Sequence, residues 1–269
     1  MTAEELVDGL EAVWTSLADL GTTLSEREWM TDTECPGWTV QDNLAHIIGI
    51  ESTILGRPNP DHEPAGGPHV KNDVGAGNEI WVDWYRQRSG VEVLGEFRAV
   101  TDERIARLRA PGHDFGAESW TPVGPGTVRD LLPFRVFDSW VHEQDMRRAL
   151  GRPGDADSIA ASASLDRIES IMPMVVGKKV APPDGTVVVF TIEGPVGRAF
   201  AVAVEHGRAE FLDSVPAAPT VNLEMDTDTF VRLASGRGDP ESILATGAVT
   251  LTGDPVLGRS VAERMNFLF

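Results

Sequence analysis

Cysteine is almost absent: Cys35 is the only one in 269 residues, which excludes an internal disulfide. That fits a reducing compartment, and a cytoplasmic protein is expected. No apolar run approaches the ~20 residues needed to cross a bilayer. The opening MTAEELVDGLEAVW carries acids where a secretory signal has a basic region, and it lacks a signal's apolar core, so no leader is expected. Basic charge is also in short supply. The 23 lysines and arginines face 42 acids, for a formal net charge of −19. Such a surface repels phosphate backbones and anionic lipid, so neither nucleic acid nor a membrane is an expected partner. The substrate stays open, because one local arginine cluster can still hold an anion. Also missing are a glycine-rich phosphate loop, a G-x-S-x-G elbow and a C-x-x-C pair, which counts against nucleotide-binding, α/β-hydrolase and redox readings.

What is present suffices for two domains, with 41% hydrophobic residues over a length that exceeds one typical domain. Leu6, Leu10, Val13, Leu17, Leu20 and Leu24 recur at helical spacing. After the Pro36–Gly37 turn, Thr39 is placed to cap a helix reaching about Leu55, with Asp42 three residues on. Residues 56–78 are rich in proline and glycine without periodicity, as in a lid or binding loop. The stretch 78–110 reads as one long helix broken or bent near Gly90. A TPVGPG connection leads to a last helix over 127–151, which Pro133 should kink or shorten by a turn. Four helices with no strand between them predict a four-helix bundle over residues 1–153. The segment 151–158 is the linker candidate. Beyond it, over 154–269, come a helix, strands at TVVVFTIE and RAFAVAVE joined by a turn at 194–197, two further strands, capped helices at Asp226 or Thr227 and at Pro240, a strand in AVTLTGD and a closing helix. This predicts a small antiparallel-rich α+β domain.

In FRVFDSWVHEQDMRRALG, residues Arg135, Asp138, His142, Asp145 and Ala149 are spaced +3, +4, +3, +4 and fall on one narrow helical stripe. Two readings follow from the pattern. Val136, Phe137, Trp140 and Val141 lie roughly opposite, so the stripe could face water. Alternatively, Asp138 and His142 at i, i+4 could point at one ion, with Asp145 as a third ligand or as an acceptor that orients an imidazole. Glu143 lies about 100° round the helix and does not join them. His46 borders the apolar arc of Val40, Leu44, Ile47, Ile50 and Ile54, where a histidine is either a hydrogen-bonded core-edge residue or a ligand. His62, His69, His113 and His206 carry weaker signals. Nothing basic neighbours Cys35 in sequence to favour a thiolate, so a small buried hydrophobe is its expected role.

CPGWTVQDNLAH, followed about ninety residues later by FDSWVHEQDMRRALGRPG, resembles the mycothiol-dependent maleylpyruvate isomerase family of actinobacteria, within the wider DinB-like superfamily. The tail, LASGRGDPESILATGAVTLTGDPVLGRSVAERMNFLF, looks like the sterol-carrier-like domain that accompanies these enzymes. The resemblance implies a DinB-like four-helix bundle holding a divalent ion, usually zinc, through His46, Asp138 and His142. Asp138 stands where the isomerase has glutamate. It further implies that mycothiol, or a related low-molecular-weight thiol, binds the ion as a thiolate and serves S-transfer or cis–trans isomerisation of a small electrophile. Arg86 resembles an arginine on the isomerase's third helix and is a candidate to receive an anionic electrophile, as is Arg135. Two other functions stay open: a lipid or small-molecule carrier with a structural helical half, and a hydrolase whose metal activates water. Monomer and homodimer are both compatible with the sequence.

Overall fold

Capping chemistry starts the helices of the first half. In this computed structural model, which describes residues 1–268, Thr2 and Glu5 form a capping box at the head of α1 (Ala3–Thr22), and Ser25 and Glu28 do so for the short α2 (Glu26–Trp29). Thr39 caps α3 (Val40–Ile54) and Asp42 reaches back to its backbone, as the sequence predicts. The chain divides into two compact units, 1–164 and 165–268.

The stretch read as a helix broken or bent near Gly90 is broken there into two helices. Asn72 caps α4 (Asp73–Tyr85), so helix begins inside the segment expected to be loop. A Ser89–Glu92 capping box then starts α5 (Gly90–Leu108) afresh. Glycine at 90 is required by packing, because a Cβ there would collide with the Trp29 indole. A strand pair also appears where none is expected: β1 (Glu118–Thr121) and β2 (Gly124–Thr127) form an antiparallel hairpin out of the TPVGPG connection. Its turn is made possible by Gly124 at φ 120°. Next, α6 (Val128–Leu150) runs unbroken through Pro133, with Thr127 as its cap and Gly151 left-handed at its end. Pro133 forfeits one backbone bond without splitting off the first turn. In this unit α1 packs on α5 and α6, and α3 packs on α4, α5 and α6. The segment 151–158 is no free linker: Trp140 Nε1, Gln144 Nε2 and Arg147 Nη1 hold the carbonyls of Asp155, Gly154 and Arg152.

Helix α7 (Ile159–Met174) runs on into a π-helical turn (Val175–Val180). The second unit is then a five-stranded sheet ordered β5-β4-β3-β6-β7, made of β3 (Val187–Glu193), β4 (Arg198–Glu205), β5 (Arg208–Phe211), β6 (Val221–Asp226) and β7 (Val249–Gly253). Only the β3–β6 pairing is parallel. Asp226 caps α8 (Thr227–Ala234), Pro240 opens α9 (Pro240–Ala245), and α10 (Pro255–Arg264) follows β7. Phe190, Phe200 and Phe230 cluster within the core of this unit. Both halves thus have the predicted class, helical bundle and antiparallel-rich α+β.

Candidate metal centre

The polar stripe of α6 is a buried seam against α3. Arg135, His142 and Asp145 are 5%, 6% and 0% exposed, while Asp138 and Ala149 keep partial access. The opposite face, with Val136, Phe137, Trp140 and Val141, is buried as well. A helix buried on both sides has no wet face to spare for the stripe, so the solvated reading does not hold.

Three side chains meet at this seam. His46 Nε2 lies 3.3 and 3.2 Å from the two Asp138 oxygens, and His142 Nε2 lies 3.7 Å from Asp138 Oδ1. One donor atom from each falls within 4.8 Å of the others. Donors about 2.0–2.2 Å from a tetrahedral ion stand about 3.3–3.6 Å apart, so this spacing fits one small divalent cation. Protonation fits too. Asn43 turns its NH2 to Thr33 Oγ1 (3.1 Å) and the Thr39 carbonyl (2.8 Å), which leaves its oxygen facing His142 Nδ1 at 2.6 Å. An amide oxygen only accepts, so Nδ1 carries a proton, and Nε2 is the nitrogen turned towards Asp138 for an ion to use. Burial, outweighing the pull of Asp138, lowers the His46 pKa and keeps that imidazole neutral.

Asp138 is the anionic member. Burial alone would push it up, but His46 and the Arg135 guanidinium beside it hold it well below the ordinary carboxylate range. Arg135 donates from Nη1 to Asp138 Oδ2 (2.9 Å) and from Nε to Glu51 Oε1 (2.6 Å), while Arg104 Nε reaches Glu51 Oε2 at 3.2 Å. Glu51, fully buried on α3, therefore anchors the arginine that anchors Asp138.

Trp38 forms an aromatic wall. Its ring centroid lies 5.0 Å from that of His46 and 5.6 Å from that of His142. Its Nε1 donates to the buried Glu79 (2.7 Å), which also engages His69 Nε2 at 2.9 Å. The loop before α4 is thus tied to the wall, and two more contacts hold it on α4: His62 Nε2 to Asp83 (2.8 Å) and Trp81 Nε1 to Asn59 (3.1 Å).

Arg86, the candidate to receive an anionic electrophile, is held by acids at the α3–α4 contact. Its donors reach Asp42, Glu79, Asp83 and the Gly37 carbonyl, clamping α4 to the head of α3. Arg135 is the arginine at the cluster. Cys35 is half-buried, and its Sγ, a His142 nitrogen and an Asp145 oxygen lie within 4.8 Å of one another, so the imidazole that sequence adjacency does not supply comes from α6. His113 stacks edge-on with Phe115, and His206 occupies the β4–β5 turn. Sequence reasoning missed Asn43, Trp38, Glu51 and Arg104. Asn43 precedes His46 by one helical turn, a legible spacing; Glu51 signals itself only as an acid on a largely apolar helix.

The mycothiol maleylpyruvate isomerase N-terminal domain matches residues 10–147, and the C-terminal domain of the same isomerase matches residues 162–256. No curated protein matches the chain. Among solved structures, the mycothiol-dependent maleylpyruvate isomerase superposes with a TM-score of 0.59 at 16% identity, covering 94% of this chain and 93% of that one. A histidine-to-alanine mutant of the mycothiol-dependent maleylpyruvate isomerase gives 0.53 at 14% identity, with the same coverage. The Aedes aegypti Sterol Carrier Protein 2 Like 2 overlaps 39% of this chain and 98% of its own, at 20% identity and a TM-score of 0.31. With both of its domain matches present in order, the chain belongs to the mycothiol maleylpyruvate isomerase family.

Proposed function

We propose that this chain is a thiol-dependent enzyme in which His46, Asp138 and His142 hold one divalent ion and mycothiol is the thiol. The observation that carries the reading is the convergence of two imidazoles and one ionised carboxylate, with the ring of His142 held at Nδ1 by Asn43. Two nitrogens and one oxygen suit zinc, and three protein ligands leave room for a further donor. Such an ion, when bound, holds a thiol as its thiolate at neutral pH.

The chain's own residues supply the rest. Asn43 and Arg135 orient His142 and Asp138, so the donor set is fixed before anything binds. Trp38 and the tethered loop screen one side of the cluster from water. A thiolate delivered here adds to an electrophilic carbon–carbon double bond. The π pair moves into the adjoining carbonyl as an enolate; rotation about the resulting single bond and loss of the thiolate return the isomer, while retention of the sulfur, with the enolate carbon taking a proton from solvent, gives a conjugate. The family favours isomerisation, and S-transfer uses the same first step.

Elemental analysis and calorimetry test this directly. Purified protein should carry roughly one equivalent of zinc, and His46→Ala or His142→Ala should lose it. Loss of Asn43, which only orients a ligand, should weaken metal binding about 10–100-fold. Mycothiol should bind the metal-loaded protein and neither the metal-free protein nor His142→Ala. Equal binding to all three, or turnover with no thiol added, would overturn the mechanism.

A further inference from the structure

Cys35 takes no part in that mechanism, yet it stands behind one of its ligands. Asp145 Oδ2 lies 3.5 Å from His142 Nδ1, the nitrogen opposite the one turned to Asp138, and Cys35 Sγ completes a three-donor group within 4.8 Å. We infer that Cys35, His142 Nδ1 and Asp145 form a second cation site, selective for soft thiophilic divalent ions, whose occupation empties the first.

The donors decide the class of ligand. A thiolate favours soft cations, whereas the nitrogen and oxygen set on the other side of His142 lacks any sulfur. The segment carrying the thiol is fixed rather than loose. Its backbone N–H donates to Thr33 Oγ1 (3.2 Å), its carbonyl accepts from Trp38 N (3.1 Å), and Arg148 bridges Glu34 (3.0 Å) to Asp145 (2.5 Å). Arg148 thereby holds the Cys35 turn against α6. Access also runs in one direction: Asp145 is fully buried and His142 nearly so, while Cys35 is half-buried, so an arriving ion meets the sulfur first.

Exclusion follows from the imidazole itself. A neutral ring has one lone pair in its plane, and the first site uses it at Nε2 only while Asn43 keeps the proton on Nδ1. A cation at Nδ1 displaces that hydrogen bond, and the ring proton moves through solvent to Nε2. The thiol proton leaves to solvent and the sulfur pair goes to the cation. The second site stands on Cys35 and Asp145; only the exclusion rests on the function proposed above.

Cadmium titration of the full chain tests it, read by the ultraviolet thiolate-to-cadmium charge-transfer band and by zinc released to a chromophoric chelator. Wild type should show a saturable band, and zinc should leave as the band grows. Cys35→Ser should show no band and should need at least about tenfold more cadmium to lose its zinc, since losing even a partner that only orients a ligand costs that much. Asp145→Asn should weaken the band while keeping the side-chain shape. His46→Ala should retain the band. Should His46→Ala also keep its zinc, the proposed function fails while this site stands. No band in wild type, an undiminished band in Asp145→Asn, or equal zinc release from wild type and Cys35→Ser overturns the inference.

Discussion

Two carboxylates on α6 tilt stability in opposite directions with pH. Glu143 is fully buried and accepts from Ser16 Oγ at 2.5 Å and Arg147 Nε at 2.8 Å. Burial first, and then the neighbouring Asp155 carboxylate, push it up to about 8, although Ser16 and Arg147 pull the other way. The folded protein thus holds this proton more tightly than the unfolded chain. Its contribution is complete below the ordinary value of 4.5 and is lost as pH rises from there through about 8. Asp138 is shifted downward, so its contribution is present above its ordinary 3.8 and is lost as pH falls further. Glu143→Gln should therefore flatten the decline of stability between about pH 5 and pH 8 and leave the acid limb unchanged. Urea unfolding of metal-free wild type and variant at several pH values reads this, and identical slopes would refute the assignment.

Glycine positions decide how the helices approach one another. Gly49 on α3 lies against Trp81 of α4, and a Cβ there would stand 2.6 Å from the Trp81 side chain. Alanine would gain about 0.5–1 kcal/mol in helix propensity, but overpacking costs about 1–3 kcal/mol, so crowding wins. Gly49→Ala should lower the denaturant midpoint, and it should speed hydrogen exchange in the 57–72 loop, because Trp81 holds Asn59. An unchanged midpoint would show that α4 yields without cost. This is also the scale at which the sequence is most and least readable. Thr39, Thr127 and Asp226 mark their helix starts in plain local chemistry, and the apolar runs on either side of the 194–197 turn mark the first strands of the sheet. A break or bend near Gly90 is legible, but the choice between them hides because both flanks are helical in period, and the Trp29 ring that demands Gly90 is far away in sequence. The 118–127 hairpin hides because each strand has four residues, too few for alternation to register. For the centre, spacing placed Asp138 and His142 on one stripe, and resemblance added His46. Whether the stripe was wet or buried depended on α3 packing over it, which periodicity along one helix does not encode.

At the scale of the whole molecule, charge sets a balance that salt can reveal. If every lysine and arginine paired with an acid, 19 acids would still be left over. Several pairs that do form are exposed, such as Arg109 with Asp8 and Arg107 with Glu103. Exposed pairs contribute about 0–1 kcal/mol each, and salt removes little by screening them. The surplus negative charge repels itself throughout the folded chain. At about 0.01 M salt the screening length is ~30 Å, so distant acids feel one another; at about 0.15 M it falls to ~8 Å and most of that repulsion disappears. The buried pairs of Glu51 with Arg104 and Arg135 are shielded from the solvent ions and should not weaken. Net repulsion is therefore the larger salt-sensitive quantity. The thermal midpoint of the protein should rise across that range of sodium chloride and then level off. Potassium chloride should give the same curve, because screening depends on ionic strength and not on the identity of a monovalent cation. A midpoint that fell with added salt would mean that attractive surface pairs outweigh the surplus acids.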